Sequence, residues 1–248
     1  MTTPAIELIN VSKHFRHEWT FRKKSIVHDL SFAAFEGETF GFIGQNGAGK
    51  TTTIKMLLDL IRPSSGQILL LGKPPGKPNA RADIGFMPER PYFYEYLTAH
   101  ETMMLYAGLK HLSHFDAKRQ SEELLERVDL QQTKRKKLRD FSKGMLQRLA
   151  LAQALLGNPK LVIMDEPMSG LDPVGRKLVR DIMLWLKERK TSIFFSTHIL
   201  TDVEAICDRV AMIHNGQLKM VGHISDFVSS GTGSLEDEFI KRTKEDLP

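Results

Sequence analysis

The sequence predicts an α/β fold: a parallel sheet core with an antiparallel β flank at the N-terminus and a helical subdomain inserted in the middle. Short apolar or alternating segments occupy the first 45 residues and return after residue 160. Between them, apolar residues recur at spacings of three and four, the period of a helix. Because strands that alternate with helices form parallel sheets, this order favours an α/β architecture.

The first 71 residues predict four strands and one helix. Thr39–Ile43 is a short apolar run, and after Gly49 the hydrophobic period changes from 2 to 3.6, as expected where a strand gives way to a helix. The apolar residues of that helix are Ile54, Leu57, Leu58 and Ile61. The other predicted strands are residues 5–11, a segment with Leu30, Phe32 and Ala34 on one face, and residues 67–71.

The middle of the chain, from about 92 to 156, predicts helices. Thr98 with Glu101, and Ser113 with Asp116, have the spacing of capping boxes, and a third helix is predicted from Ser142 to about 157. Strands are predicted at 161–164 and 192–195, with a helix at about 173–190 between them. Asn215-Gly216 predicts a hairpin, and the tail predicts a short helix around 235–240.

Composition excludes several classes of protein. The chain has 248 residues, a formal charge of +5 and one cysteine, Cys207, so an internal disulfide framework is excluded. Its apolar runs are much shorter than the about 20 residues that a membrane-spanning helix needs, and its N-terminus does not resemble a signal peptide. We therefore expect neither a spanning helix nor an export signal. The basic run at 134–139 is compatible with a solvated face, an anionic membrane or nucleic acid.

A phosphate-binding loop is predicted where the third strand meets the first helix. Its residues fit G-x-x-x-x-G-K-[ST] and are Gly44, Gln45, Asn46, Gly47, Ala48, Gly49, Lys50 and Thr51. Glycines let backbone N–H groups converge on phosphate oxygens beside the positive end of a helix. In this pattern Lys50 reaches the β- and γ-phosphates, the Thr51 hydroxyl ligates Mg²⁺, and Thr52 is a further candidate phosphate contact. A chance match in a glycine-rich turn is the alternative, and the strand–helix context argues against it.

Two carboxylates follow the predicted strand at 161–164. At such a strand end, Asp165 is a candidate for the Mg²⁺ shell, and Glu166 is placed to polarise a water that attacks the γ-phosphorus. An acidic pair taken alone is more often a loop start or a helix cap. The phosphate loop in the same chain favours the catalytic interpretation.

The order of the motifs resembles the ATP-binding subunit of an ABC transporter. The motifs are GQNGAGKTT, FSKGMLQR, LVIMDEP, SGLDP and FFSTH, and the resemblance covers nearly the whole chain. It implies a P-loop NTPase (RecA-like) core, ATP and Mg²⁺ as cofactors, and ATP hydrolysis. It also implies one ABC-type domain at 1–248, with a catalytic core at about 1–91 and 159–222, a helical subdomain at about 92–158 and a C-terminal tail at about 223–248.

The resemblance assigns Ser142, Lys143, Gly144 and Met145 to the signature loop, which in the family contacts the ATP held by a partner subunit. The usual form is L-S-G-G-Q, and here Phe141, Lys143 and Met145 depart from it. A Ser and a Gly at a helix N-terminus present a hydroxyl and N–H groups to an anion. A simple N-cap role for Ser142 is the alternative.

His198 is similar to the family's switch histidine, which hydrogen-bonds the γ-phosphate and is counted as catalytic. Asp172 matches the loop that crosses the dimer interface. The alternatives are an ordinary surface or core histidine, and a turn with a helix cap before Pro173.

Two further assignments rest on weaker matches. Glu89 stands where the family usually has Gln, and its carboxylate can bind Mg²⁺ or a water. Phe15 is the nearest match to the aromatic that stacks on adenine, with Trp19 and Phe21 as alternatives and simple packing as the competing role for each.

The leading interpretation is an ATP-hydrolysing subunit that powers transport, with export favoured by the S-K-G-M signature, through a separate integral membrane permease subunit. A second copy of the domain, a homodimer, is the other expected partner, and no nucleic acid is expected. The expected location is cytoplasmic, peripheral on the inner face of the cell membrane. A soluble ABC-type ATPase acting on nucleic acid or ribosomes is the alternative. A GTPase or small-molecule kinase lacks support because no Asn-Lys-x-Asp guanine motif occurs and neither class explains the series of motifs from Ser142 to His198.

Overall fold

The computed structural model describes residues 3–16, 23–133, 135–228 and 234–244. The strands are β1 (Pro4–Arg16), β2 (Lys23–Phe35), β3 (Thr39–Ile43), β4 (Ser65–Leu70), β5 (Ile84–Met87), β6 (Leu161–Asp165), β7 (Ser192–Thr197), β8 (Arg209–His214) and β9 (Gln217–His223). The α-helices are α1 (Lys50–Leu57), α2 (Ala99–Leu109), α3 (His114–Arg127), α4 (Lys143–Leu155), α5 (Pro173–Glu188), α6 (Leu200–Ile206), α7 (Ile224–Val228) and α8 (Leu235–Lys244).

The chain divides into two compact units. Unit 1 consists of Met1–Arg81 and Phe194–Pro248, and unit 2 of Ala82–Ile193. The predicted subdivision into a catalytic core, a helical subdomain and a tail stays a prediction.

Unit 1 contains an antiparallel flank joined to a parallel segment of sheet. Its strands follow the order β4-β1-β2-β9-β8-β3-β7. β1 pairs antiparallel with β2 and β4, whereas β3 runs parallel to β8, with Gly41 opposite Val210. The predicted antiparallel flank is confirmed. The consequence for function is that β3, which carries the phosphate loop at its carboxyl end, lies inside the sheet and not at its edge.

Four aromatic side chains form the centre of unit 1 and fix the position of β3. Phe32, Phe40, Phe42 and Phe194 are buried, and their ring centroids lie 5.5–6.3 Å apart in the contacting pairs. Full burial of one such ring contributes about 1.5–3 kcal/mol, with a smaller addition from ring contacts. This cluster therefore holds the strand that ends at the phosphate loop.

The β8–β9 hairpin turns at the predicted Asn-Gly pair. Asn215 and Gly216 both have positive φ, 47° and 78°, as a type I′ turn requires. A Cβ at Gly216 would lie 2.3 Å from the carbonyl oxygen of Ile26, so only glycine fits. The Gly216 N–H donates to the carbonyl of Ala48 at 3.0 Å, which ties the hairpin to the phosphate loop.

Unit 2 combines a parallel strand pair with the helices α2 to α5. β5 and β6 are parallel, with Ile84 opposite Leu161. The capping box that begins α2 is confirmed, because Thr98 N–H donates to Glu101 Oε2 at 2.7 Å and Glu101 N–H donates to Thr98 Oγ1 at 3.2 Å. Hydrogen bonds from the Thr98 backbone and hydroxyl, and then from Lys137, hold the pKa of Glu101 below its usual value.

The second predicted capping box is only half formed, because the Asp116 carboxylate does not accept from the Ser113 backbone N–H. Ser113 caps α3 by accepting the Asp116 N–H at 3.1 Å, but the Asp116 carboxylate accepts from the Ser113 hydroxyl at 2.7 Å. Asp is one methylene shorter than the Glu of a full box, so its reach back to the backbone is reduced.

One strand and two α-helices among the described residues had no counterpart in the sequence prediction. They are β5, α6 and α7, of four, seven and five residues.

Candidate functional site

The phosphate loop in unit 1 adopts the conformation that its glycines permit. Gly47 and Gly49 have φ of +82° and +111°, in the region that favours glycine. α1 begins immediately after Gly49, which has no side chain to cap the helix. The first N–H groups of α1 therefore point toward the loop as potential donors to an anion.

Gly44 is required for a different reason, which is close packing. A Cβ at this position would lie 2.4 Å from the backbone oxygen of Ile213 and 3.1 Å from the Cβ of Ala48. The loop therefore leaves β3 pressed against β8. The phosphate-loop motif requires a glycine at this position, and the close contact with Ile213 is the steric reason.

Lys50 crosses the loop from the first turn of α1. Its side chain is buried, with the residue only 6% exposed, and Nζ donates to the carbonyls of Gly44 at 2.7 Å and Gln45 at 3.4 Å. Thr51 is exposed, Thr52 is half-buried, and Thr53 donates its hydroxyl to Gly49. An ammonium group thus lies within the turn of the loop, with a hydroxyl beside it on the helix.

His198 borders the same part of unit 1. It is exposed, follows the end of β7 and lines a cleft of about 250 Å³ together with Gly44, Gln45, Asn46, Leu200 and Phe239. The structure thus brings His198 and the beginning of the phosphate loop to one cleft. It also adds Phe239 from the C-terminal helix.

The candidate adenine-stacking aromatic, Phe15, lies in β1 and is 43% exposed. Lys13 places its Nζ over the Phe15 ring, 4.9 Å from the ring centroid, so a cation already contacts one face of this aromatic. Trp19 and Phe21, the alternatives, lie outside the described residues.

The acidic pair lies at the end of β6 in unit 2. Asp165 and Glu166 are only 3% and 7% exposed. Glu166 has φ of 49°, a left-handed conformation that an ordinary side chain adopts at a cost of about 1–3 kcal/mol. Glu89, also in unit 2, is half-buried; its side chain is 44% exposed, and its Oε1 lies 3.8 Å from Arg90 Nε. The acidic pair is therefore more deeply buried than Glu89.

A groove of about 340 Å³ in unit 2 collects the signature residues. Ser142, Gly144, Met145 and Asp172 all line it. Ser142 Oγ accepts from Met145 N–H at 3.2 Å at the start of α4. Asp172 Oδ1 accepts from Gly175 N–H at 2.8 Å at the start of α5, so both residues are helix caps, as the alternatives stated. Two helix N-termini therefore border one groove, which favours a negatively charged ligand.

Lys143, the first residue of α4, is exposed and lies against Gly170 at the edge of this groove. Its Nζ would come within 2.6 Å of a Cβ placed on Gly170. The cation that replaces the usual glycine of the signature therefore lies beside the groove.

Arg148 is a groove residue that the sequence analysis did not assign. One Nη donates to the carbonyls of Val128 and Asp129, at 3.1 and 3.2 Å, and to the Asp129 carboxylate at 3.1 Å. It lies three residues after Met145, on the same face of α4, so helical spacing from the signature is the signal that finds it.

The sequence pattern of the ABC transporter family matches residues 27–169, more than half of the chain. The chain belongs to this family. The matched range includes the phosphate loop, the signature residues and the acidic pair.

Relatives and a solved structure agree with the assignment to the ABC transporter family. An ABC transporter ATP-binding protein of Synechocystis is 45% identical over 231 residues, which are 92% of this chain and 65% of that protein. The bacitracin transport ATP-binding protein of Bacillus licheniformis is 45% identical over 199 residues, 79% of this chain and 64% of that protein. The chain thus spans slightly less than two thirds of these curated relatives.

A solved ATP-binding subunit of an ABC transporter superimposes with a TM-score of 0.85 at 32% identity, covering 96% of this chain and 99% of that one. The predicted fold class, a P-loop NTPase with an antiparallel β flank, is confirmed. Within the described ranges, no helix combines the length and apolar character needed to cross a membrane.

Proposed function

We propose that the chain is an ATP-hydrolysing subunit that works as a dimer and powers transport, in the direction of export, through a separate membrane-spanning subunit. The observation that carries the nucleotide part is the phosphate loop, in which Lys50 is buried between the carbonyls of the loop. Positive φ at Gly47 and Gly49, and the uncapped start of α1, suit a triphosphate.

The proposed metal is Mg²⁺, because each candidate ligand, taken by itself, supplies an oxygen. An exposed hydroxyl on Thr51 and a buried carboxylate on Asp165 are oxygen ligands, which this hard cation prefers alongside phosphate oxygens and water. When bound, Mg²⁺ would neutralise charge on the phosphate oxygens. Glu89 is a weaker candidate ligand, since it is less buried and has Arg90 as a neighbour.

Glu166 is the proposed base that orients and polarises the attacking water. Its burial and its left-handed backbone support the assignment, because strain of this kind is concentrated at functional sites. His198 is the proposed partner of the γ-phosphate, supported by the cleft that it shares with the start of the phosphate loop. General-base assistance contributes typically 10²–10⁴-fold in rate.

A second copy of the chain is the proposed source of the groove that completes each site. In this arrangement the N-terminus of α4, with Ser142 and Gly144, faces the phosphates bound by the other copy, and Asp172 lies in the interface. Two helix N-termini at one groove support an anionic occupant. Phe15, which is 43% exposed, is the proposed adenine-stacking residue.

The transport part of the proposal draws on family membership. The relative named as a bacitracin transport ATP-binding protein supports a role in transport. Export, a permease partner and a position on the inner face of the membrane are extensions of that support. Isolating the protein from native membranes and identifying the integral membrane chain that accompanies it tests them, and isolation without such a chain would favour a soluble ATPase.

The central experiment replaces Glu166 with Gln. We expect the E166Q protein to bind ATP with near wild-type affinity, to hydrolyse it at least about 100-fold more slowly, and to accumulate as an ATP-bound dimer. Steady-state phosphate release and light scattering after size-exclusion chromatography measure the two effects.

A matched control is Glu188→Gln, which makes the same chemical change at the exposed end of α5. We expect E188Q to behave as the wild type. An E166Q protein that is monomeric with ATP and turns over at the wild-type rate would overturn the proposed mechanism.

A further inference from the structure

The strand pair β1–β2 lies against the end of the phosphate loop. A Cβ placed on Gly49 would come within 3.2 Å of Val27 Cγ2 and 3.1 Å of the Ile26 carbonyl oxygen. Val27 of β2 is the residue opposite Lys13 of β1. Because a strand rises about 3.3 Å per residue, Phe15 lies about 7 Å further along β1 than Lys13. The candidate adenine-stacking residue therefore belongs to the strand pair that borders the loop.

Lys13 is held in place by the connection between α1 and β4. Its Nζ donates to the carbonyl of Arg62 at 2.6 Å, a short hydrogen bond assisted by charge. Two neighbouring hydrogen bonds join the same segments: the Ser64 N–H donates to the carbonyl of Ser12 at 2.8 Å, and the His14 N–H donates to Ser64 Oγ at 3.2 Å. The position of the Lys13 ammonium group is therefore fixed both by β1 and by this connection.

The same ammonium group covers one face of the Phe15 ring. Lys13 Nζ lies over the ring, 4.9 Å from its centroid, and a cation–π contact extends to about 6 Å. Phe15 is 43% exposed, so part of its side chain is open to solvent. A ring that bears a cation on one face can accept a flat base only on its other face. The contact therefore restricts the orientation of the ring and leaves one face for stacking.

We propose that Lys13 is a positioning residue for Phe15, which holds the ring in the orientation that stacks on adenine and thereby strengthens ATP binding. The inference rests on the proposed function, in which Phe15 is the stacking residue, and adds Lys13 to it. Lys13 acts through the ring and need not touch the nucleotide. Such pre-organisation raises affinity because the side chain loses less freedom when the ligand binds.

The test compares ATP with tripolyphosphate, which offers the phosphate loop a chain of three phosphates without a base. Lys13→Met keeps much of the side-chain length and removes the charge. K13M should weaken ATP binding about threefold, the loss expected from one exposed cation–π contact, and should leave tripolyphosphate binding unchanged. Lys13→Arg keeps a cation that stacks on aromatic rings, so K13R should bind ATP within about 1.5-fold of the wild type. Isothermal titration measures the affinity for each ligand.

Phe15→Ala and the double variant K13M/F15A show whether the effect passes through the ring. F15A should weaken ATP binding at least about fivefold, as expected when a base loses its stacking partner, without a change in tripolyphosphate binding. In the F15A background, K13M should change ATP affinity less than about 1.5-fold, because the ring that Lys13 orients is absent. Equal effects of K13M with and without the Phe15 ring would overturn the proposal.

Lys73→Met is the matched control, the same chemical change at an exposed lysine in the loop that follows β4. K73M should bind both ligands as the wild type does. An unchanged ATP affinity in K13M, an equal loss of tripolyphosphate affinity in K13M, or an equal loss of ATP affinity in K73M would each overturn the proposal.

The same titrations separate this proposal from the proposed function. A wild-type protein that does not bind ATP would contradict the proposed function and with it the role of Lys13. Wild-type ATP affinity in F15A would contradict the stacking role of Phe15. A loss of ATP affinity in F15A that K13M does not share would contradict the role of Lys13 alone.

Discussion

Substituting Gly44 by Ala tests whether close packing, and not flexibility, makes glycine necessary at the start of the phosphate loop. The new Cβ would lie 2.4 Å from the Ile213 carbonyl oxygen, and real Cβ atoms essentially never come closer than 3.0 Å. The end of β3 and the β8 backbone must therefore separate by at least about 0.6 Å. Overpacking of this kind costs about 1–3 kcal/mol, which corresponds to a fall in Tm of roughly 2–12 °C for a protein of this size.

The functional effect follows from Lys50. Its ammonium donates to the Gly44 carbonyl at 2.7 Å, so the displacement of Gly44 moves a group proposed to hold phosphate. Because a misplacement of about 1 Å can cost 100-fold in rate, we expect G44A to weaken ATP binding at least tenfold and to lower kcat/KM further. Isothermal titration with ATP, phosphate release and thermal unfolding measure the three quantities.

Gly72→Ala is the control for a pure backbone effect. Gly72 has φ of +74°, and nothing lies within 4 Å of a Cβ placed there. An alanine at this position therefore meets no crowding and should destabilise the protein by about 1–2 kcal/mol through left-handed backbone strain alone. G72A should lose a few degrees in Tm and keep wild-type ATP affinity. A G44A protein with wild-type Tm and ATP affinity would refute the close-packing argument, and a G72A protein with weak ATP binding would show that the assay reports stability alone.

Three further predictions concern a helix cap, a hydrogen-bonded cation and a half-buried carboxylate. Ser142→Gly removes the N-cap of α4 and should lower the free energy of unfolding by only a few tenths of a kcal/mol. It should nevertheless slow ATP hydrolysis at least tenfold. Hydrolysis at the wild-type rate would mean that Ser142 is only a helix cap. Arg148→Met should lower the free energy of unfolding, measured in urea, by about 2 kcal/mol, because three acceptors lose a charged donor. A decrease below about 0.5 kcal/mol would contradict a stabilising role for these hydrogen bonds. Burial raises the pKa of Glu38 above its usual value of 4.5, despite the opposing effects of the hydrogen bond from the Phe35 N–H and of Arg209. The stabilising contribution of the protonated carboxyl is therefore present below pH 4.5 and lost as pH rises through the raised pKa. As pH rises above 4.5, Glu38→Gln should lose less stability than the wild type; equal pH slopes in urea unfolding would be the contrary result.

Much of unit 1 was predictable because its signals are local. The period change at Lys50 marks the start of α1, the Asn215-Gly216 pair marks the β8–β9 turn, and Thr39–Ile43 coincides with β3. In each case the chemistry that determines the structure lies within a few residues of the element. The same locality explains why the motif falls between the end of β3 and the first turn of α1.

The features missed are those set by distant residues. β5 is four residues long, with Gly85 packed so closely that a Cβ would meet the Ala154 carbonyl at 2.0 Å, and no local pattern records that contact. Phe239 belongs to a short amphipathic helix whose sequence does not tell which cleft it reaches. The reciprocal contact of Ser113 depends on one methylene, which a spacing rule does not resolve.

The two units offer different chemistry to an anion, and that difference bears on the proposed dimer. In unit 1 a single loop supplies glycines, a helix start and the buried Lys50, so this site is organised by one continuous segment. In unit 2 the groove is built from two separate helix starts whose first N–H groups are already partly capped by Ser142 and Asp172. A capped helix start still has its dipole but fewer unused donors, so it suits a supplementary contact better than primary binding. This division fits the proposed dimer, in which one copy would bind the nucleotide and the groove of the other would add affinity.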